Sequence, residues 1–128
     1  MSEPQSFPFK EETYALIGIC MSVHKFLGHG FLEIVYKDAI EFDLQQQAVT
    51  FEREKQYSIN YKGKILPHKF YADFVIMDNI ILEVKAVEGG IAPEQIAQTI
   101  NYLKASGCKV GLIINFGRTR LEYKRLVY

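Results

Sequence analysis

Two apolar runs, residues 80–87 and 110–115, are separated by a single helical segment, and few folds accommodate that arrangement. The segment begins near Pro93, a residue suited to a first helical turn, and stops at Gly107. Its apolar stripe consists of Ile96, Ile100 and Leu103. A strand, a helix and a second buried strand predict a crossover between parallel strands, right-handed by strong default.

The chain before this unit has apolar residues at helical spacing. A first helix is predicted over residues 10–27, with an inward side at Tyr14, Ile17, Met21 and His24. Gly28-His29-Gly30 interrupts the pattern. A second helical stretch is predicted from Phe31 to about Gln47, with an inward side at Leu32, Tyr36, Ala39 and Phe42 or Leu44.

The middle of the chain alternates with a period of two, which predicts strands. A turn is expected at Lys62-Gly63, and residues 70–77 and 80–87 form a predicted hairpin around Asp78-Asn79. Residues 121–128 alternate again and are expected to add an edge strand. The predicted fold is a mixed α/β domain, with helices against one sheet.

The size of the chain fits one domain. It has 128 residues, 48% of them hydrophobic, so residues 10–128 are predicted to form a single domain after a flexible tail at residues 1–9. Basic and acidic residues balance at 15 each, so any nucleic-acid binding must be local. The local basic cluster is Arg118, Arg120, Lys124 and Arg125, which could meet phosphates or form a solvated strand face.

Cysteine usage and the N-terminal composition bear on location. Cys20 and Cys108 have no metal-type spacing and predict a reducing compartment. The first ten residues lack an export signal, and no apolar run approaches the roughly 20 residues of a membrane span. We therefore expect a cytoplasmic protein with no membrane partner.

The predicted hairpin brings charged side chains together. With its centre at Asp78, Asp73 stands opposite Glu83, and Lys85 lies on the same face. Facing carboxylates repel, and a divalent cation such as Mg²⁺ would compensate, with the Val84 carbonyl as a further ligand. Alternatively, Lys85 neutralises one carboxylate without any metal. A hairpin centre shifted by one residue would put Asp73 on the other face.

If the carboxylates do face each other, removing either one should relieve their repulsion. Substitution of Asp73 or Glu83 by alanine is then expected to lower the affinity for the metal without unfolding the domain.

For other polar residues, the sequence allows two interpretations each. Gln98 and Tyr102 share one side of the crossover helix, near the sheet, or else Tyr102 packs and Gln98 is solvated. Glu33 could point a third carboxylate into the cleft, or be a charge favoured at a helix start. His24 could be a ligand or a satisfied buried histidine.

Together these segments resemble the PD-(D/E)xK nuclease superfamily, and within it the family named for its Gly-x-x-Glu-x-x-Tyr (GxxExxY) motif. That motif is complete here as Gly30, Glu33 and Tyr36. Further matching segments are Tyr71-Ala72-Asp73, residues 81–87, residues 98–104 and residues 110–117. The superfamily's proline is replaced by Ala72, a common change that affects strand geometry more than chemistry.

The resemblance implies a three-layer, restriction-endonuclease-like αβββαβ core and a site in it. Asp73 and Glu83 would bind Mg²⁺ or Mn²⁺, Lys85 would orient or activate the attacking water, and Gln98 with Tyr102 would support the site. Glu33 matches an acidic position that can join the metal shell. The expected substrate contacts are Arg118, Arg120 and Lys104.

The implied function is metal-dependent hydrolysis of phosphodiester bonds in nucleic acid, with DNA favoured, in DNA repair or defence. The alternative is a catalytically idle module that binds nucleic acid or a protein partner. Because the chain has no net charge, a second copy or a partner protein could supply the missing positive surface.

Overall fold

The computed structural model describes residues 8–128, so nearly all of the predicted tail, residues 1–9, lies outside the described residues. The elements are α1 (Lys10–Leu27), α2 (Glu33–Gln46), β1 (Phe51–Tyr61), β2 (Lys64–Ile76), β3 (Ile80–Lys85), α3 (Pro93–Ser106), β4 (Val110–Asn115) and β5 (Glu122–Val127). None of the helices within residues 8–128 meets the length and hydropathy that a transmembrane span requires.

The strands form one five-stranded sheet in the order β1-β2-β3-β4-β5. Neighbouring strands are antiparallel except β3 and β4, which are parallel and joined by α3. The crossover, the mixed sheet and the antiparallel edge strand β5 are therefore confirmed. The hairpin register is confirmed as well, because Phe74 pairs with Leu82 and Ile76 with Ile80.

Helices cover both faces of the sheet. The larger core cluster joins buried residues of α1 and α2, among them Leu16, Cys20, Ile40 and Leu44, to side chains of β2, β3 and β4. A smaller cluster joins Tyr102 and Leu103 of α3 to Val75 and Ile81 on the other face. The three-layer α/β fold is confirmed by this arrangement.

The inward faces of the helices differ from those predicted. In α1, Tyr14 is 79% and Met21 49% exposed, whereas the buried residues are Thr13, Leu16, Ile17, Ile19, Cys20 and Val23. This helix has apolar residues on more than one side, so spacing alone did not identify the face that packs. In α2, Leu44 is buried while Phe42 and Leu32 are exposed, and in α3 the buried residues include Thr99 rather than Ile100.

Candidate functional site

Two carboxylates lie where the pairing of β2 and β3 ends. The last paired residues are Phe74 and Leu82. One residue further, the Asp73 N–H donates to Glu83 Oε2 at 2.8 Å, and the Val84 N–H donates to Asp73 Oδ2 at 2.8 Å. Each strand's backbone therefore holds the other strand's carboxylate, which fixes both groups side by side.

Burial controls the charge of this pair. Asp73 is 8% and Glu83 2% exposed. Burial, with a further contribution from the charge of Asp73, raises the pKa of Glu83 to about 8. Without a bound cation, burial thus favours the protonated form of Glu83, which reduces the repulsion expected between the two groups.

A second lysine, Lys37 of α2, reaches Asp73 of this pair, and sequence reasoning missed it. Its Nζ lies 3.0 Å from Asp73 Oδ1, 2.6 Å from Glu54 Oε2 and 3.9 Å from Glu33 Oε2. Burial opposes the charge of Lys37, but hydrogen bonds to Glu54 and Asp73 outweigh burial and raise its pKa. Lys37 therefore offsets part of the charge of Asp73.

The ion pair of Lys85 that was the alternative to a metal site is not seen among residues 8–128. No carboxylate lies within ion-pair distance of Lys85 in the part of the chain that the structure describes. Lys85 is half-buried and close enough to Glu83 and Glu33 to favour their charged forms. We call Glu33, Glu54, Asp73 and Glu83 the carboxylate cluster. The Lys85 ammonium lies near this cluster but forms no ion pair with it.

Glu33 reaches the cluster because the loop before α2 is fixed. Gly30 has a φ of 109°, a backbone conformation that favours glycine. The Tyr36 hydroxyl donates to the Gly28 carbonyl at 2.6 Å and accepts from the Phe31 N–H at 3.2 Å. Tyr36 also stacks on Phe116, with ring centroids 4.5 Å apart. The motif Gly30-x-x-Glu33-x-x-Tyr36 is thereby explained as a turn, an acidic group and an anchor.

The charge of Glu33 responds to the same neighbours. Burial and the charge of Asp73 raise its pKa, while Lys85 and Lys37 oppose that shift. Its side chain is still 42% exposed, so Glu33 lies at the solvent side of the cluster.

The backbone after Lys85 is held by Asn115. The buried Asn115 side chain accepts from the Val87 N–H at 2.9 Å and donates to the Val87 carbonyl at 2.8 Å. The Lys85 carbonyl accepts from the Phe116 N–H at 2.8 Å. These bonds fix the chain on the C-terminal side of Lys85, where β3 leads into the loop before α3.

The two predicted residues of α3 have different surroundings. Tyr102 is buried, packs edge to face against Phe70, and has its pKa raised to about 12 by burial and then by the charge of Glu83. It therefore lies beside the carboxylates as a neutral phenol. Gln98 is exposed, and its support of the site stays a prediction. The role of the Val84 carbonyl as a metal ligand also stays a prediction. The contact between Val84 and Asp73 in the structure is made by the Val84 N–H.

The expected substrate contacts lie on the surface. Arg118 and Arg120 are exposed in the segment that follows β4, and Asn115 at the end of β4 pairs with Lys85. The Arg118 Nη1 atom lies 3.9 Å from Glu122 Oε1. Lys104 is exposed in the last turn of α3. His24 Nε2 donates to the Arg118 carbonyl at 2.8 Å, which agrees with a satisfied histidine rather than a metal ligand.

The donor chemistry suits a hard divalent cation. Within residues 8–128, no three His, Cys, Asp or Glu side chains are arranged as a complete ion site. Mg²⁺ commonly takes only one or two protein carboxylates and keeps several waters. Asp73 and Glu83, held side by side, can supply such a pair, with Glu33 at the solvent side.

Comparisons with known proteins agree with this fold. The crystal structure of SSO0001 superposes with a TM-score of 0.59 at 19% identity, covering 93% of this chain and 59% of that one. An alkaline exonuclease, LHK-Exo from Laribacter hongkongensis, superposes with a TM-score of 0.52 at 9% identity, covering 99% and 72%. No curated protein matches the chain.

The chain thus spans about three fifths of the length of SSO0001. At these identities the two likenesses show the fold alone. The family assignment comes from the sequence, since a family model of the PD-(D/E)XK nuclease superfamily matches residues 10–126. The chain therefore belongs to the PD-(D/E)XK nuclease superfamily.

Proposed function

We propose that this chain is a Mg²⁺- or Mn²⁺-dependent nuclease that hydrolyses phosphodiester bonds, with DNA as the favoured substrate. The observation that carries the proposal is the reciprocal bonding of Asp73 and Glu83, which holds two carboxylates next to a lysine that neither of them binds. A cytoplasmic setting, a role in repair or defence, and membership of the GxxExxY family are part of the same proposal.

Each residue would have a separate task. A phosphodiester is anionic, and its transition state gathers more charge on the phosphoryl oxygens; a divalent ion, when bound, offsets that charge and lowers the pKa of a bound water. Asp73 and Glu83 would hold the ion. Lys85 places an ammonium beside them, where it can orient the water or stabilise a phosphoryl oxygen. Tyr102 and Gln98 would support the arrangement from α3.

Membership of a nuclease superfamily supports nucleic acid as the substrate, and the alkaline exonuclease LHK-Exo shares the fold. Arg118, Arg120 and Lys104 are the proposed phosphate contacts. A second copy of the chain or a partner protein would add positive surface, because the chain itself carries 15 basic and 15 acidic residues.

The test is cleavage of single-stranded, double-stranded and branched DNA and RNA in the presence of Mn²⁺. Lys85→Met should lower the cleavage rate at least 100-fold, since charge stabilisation in a transition state commonly contributes that much. Lys109→Met is the matched control, because Lys109 is exposed just before β4, and it should leave the rate unchanged. Equal cleavage by wild type and Lys85→Met would contradict the proposal.

One observation favours the idle module instead. Asp73 already forms an ion pair with Lys37, and burial favours the protonated form of Glu83, so part of the negative charge of the site is compensated without any metal. Calorimetric titration with Mn²⁺ separates the two functions. An active site should bind Mn²⁺ in wild type and lose that binding in Asp73→Asn, whereas an idle module should show no binding that depends on Asp73.

A further inference from the structure

Lys37 holds a central position in the carboxylate cluster. Its ammonium is within 4 Å of Glu33, Glu54 and Asp73, and its side chain is only 10% exposed. In the part of the chain that the structure describes, no other lysine or arginine forms an ion pair with Asp73. The positive charge that balances Asp73 is therefore built into α2.

Asp73 has both of its oxygens engaged. Oδ1 accepts from Lys37 and Oδ2 accepts from the Val84 N–H. A divalent ion that approaches Asp73 thus meets an ammonium 3.0 Å from one of the two oxygens. Like charges at such distances repel strongly where water is largely excluded, so the ammonium and the ion compete for Asp73.

Glu54 offers the ammonium a second partner. It stands opposite Asp73 in the sheet, because its neighbours Arg53 and Lys55 pair with Phe74 and Ala72. Its φ of 54° is unusual for a residue other than glycine within a strand, and such backbone strain persists only where the surroundings enforce it. Glu54 Oε2 is the nearest acceptor of Lys37, at 2.6 Å.

We propose that Lys37 is the resident counter-cation of the metal-free cluster, displaced from Asp73 towards Glu54 when a divalent ion binds. This inference rests on the proposed metal-dependent function. It explains why a buried lysine is placed among carboxylates that a cation would otherwise occupy. It also accounts for the strained backbone at Glu54, because the Glu54 carboxylate would hold the Lys37 ammonium after the ion has displaced it from Asp73.

The first test is Mn²⁺ affinity, measured by titration calorimetry at fixed pH and ionic strength. Lys37→Met removes the competing charge, so Mn²⁺ should bind about tenfold more tightly than in wild type. Lys37→Gln, which can still donate to Asp73 and Glu54, should show a similar gain and serves if the methionine variant does not fold. An unchanged or weaker affinity in the folded variant would overturn the proposal, because Lys37 would then position Asp73 rather than compete for it.

Arg53→Met is the matched control. Arg53 also joins a strand to α2, through ion pairs with Asp38 at 2.8 Å and Glu41 at 2.6 Å, but not through the carboxylate cluster. Both variants should unfold at a lower temperature than wild type in EDTA. When Mn²⁺ is added, the melting temperature of Lys37→Met should rise by more than that of wild type. The melting temperature of Arg53→Met should rise by the same amount as that of wild type. An equal rise in the two variants would contradict competition at Asp73.

The role of Glu54 is tested by a double-mutant cycle. Glu54→Gln should weaken Mn²⁺ binding when Lys37 is present, because the ammonium then loses its nearest carboxylate and competes more strongly for Asp73. It should have a much smaller effect in the Lys37→Met background. If Glu54→Gln weakened Mn²⁺ binding equally in both backgrounds, Glu54 would be a direct ligand of the ion. The proposed movement of Lys37 from Asp73 to Glu54 would then be wrong. If neither wild type nor any variant binds Mn²⁺, the proposed metal-dependent function fails; if wild type binds and Lys37→Met gains nothing, only this inference fails.

Discussion

Asp73 shows at the scale of single residues how bonding changes the expected effect of a mutation. From the sequence, removal of a facing carboxylate was expected to relieve repulsion. In the structure, Asp73→Ala would leave the buried Val84 N–H without its acceptor, whereas the Lys37 ammonium would keep Glu54 and Glu33 as partners. An unsatisfied buried N–H costs about 1–3 kcal/mol, so Asp73→Ala should be destabilised even without metal.

Asp73→Asn provides the comparison for this prediction. The asparagine oxygen can still accept from Val84, so its free energy of unfolding in EDTA should exceed that of Asp73→Ala by about 2 kcal/mol. Both variants should lose Mn²⁺ binding. Chemical denaturation measures the difference, and equal stability of the two variants would show that the Val84 bond contributes little.

Glu83 gives the metal-free protein a dependence on pH. Burial and Asp73 raise its pKa from the ordinary 4.5 to about 8, so between these values the unfolded chain loses a proton that the folded chain keeps. The free energy of unfolding should therefore fall as the pH rises from about 5 to 8, by a few kcal/mol, and then level off. Denaturation in EDTA at several pH values measures this trend. Glu83→Gln should flatten it, and an identical slope in that variant would assign the trend to other groups.

The candidate site could be predicted only in part. Asp73, Glu83 and Lys85 lie within one hairpin, so strand periodicity was enough to bring them together. Lys37 comes from α2 and Glu54 from β1, and the contacts of Lys37 with Asp73 and with Glu54 depend on packing across the fold. A signal for Lys37 was nevertheless present, because it falls among the buried positions Tyr36, Ile40 and Leu44 of α2.

At the scale of elements, the strands were more predictable than the faces of the helices. The parallel pair of β3 and β4 follows from their apolar composition and from the one helix between them. The inward face of α1 did not follow, since Tyr14 and Met21 continue the helical spacing but remain exposed. Which apolar side of a helix packs is decided by the surface opposite it, and that surface is not encoded locally.

Gly117 tests how closely the end of β4 must approach the loop after β3. A Cβ added there would lie 2.4 Å from the Val87 nitrogen and 2.5 Å from its carbonyl carbon. Backbone atoms held by Asn115 cannot move aside cheaply, so Gly117→Ala should lower the free energy of unfolding by about 3 kcal/mol or more. Gly89→Ala, in the same connection but with open space around it, should change little. Similar denaturation midpoints for the two variants would contradict this close approach.

At the scale of the whole molecule, the balance of charges limits how the chain can hold a polyanion. The positive and negative totals cancel, so attraction to DNA has to come from the distribution of charge rather than from its sum. The proposed contacts Arg118 and Arg120 lie in the segment after β4, whose last residue pairs with Lys85. A short basic segment that follows the strand paired with Lys85 would orient a phosphate backbone without a large basic surface.

The salt dependence of DNA binding tests this arrangement. Each phosphate contact contributes roughly −0.9 to the slope of log K against log salt for duplex DNA. If Arg118, Arg120 and Lys104 make the contacts, the slope for a short duplex in EDTA should be about −3, and about −1 in a variant with Arg118→Gln and Arg120→Gln. Fluorescence anisotropy at several salt concentrations measures both. A slope that the double substitution leaves unchanged would place the DNA on a different surface. A slope much steeper than −3 in wild type would mean that further cations, from this chain or from a second copy, contact the phosphates, because three side chains cannot release that many counterions.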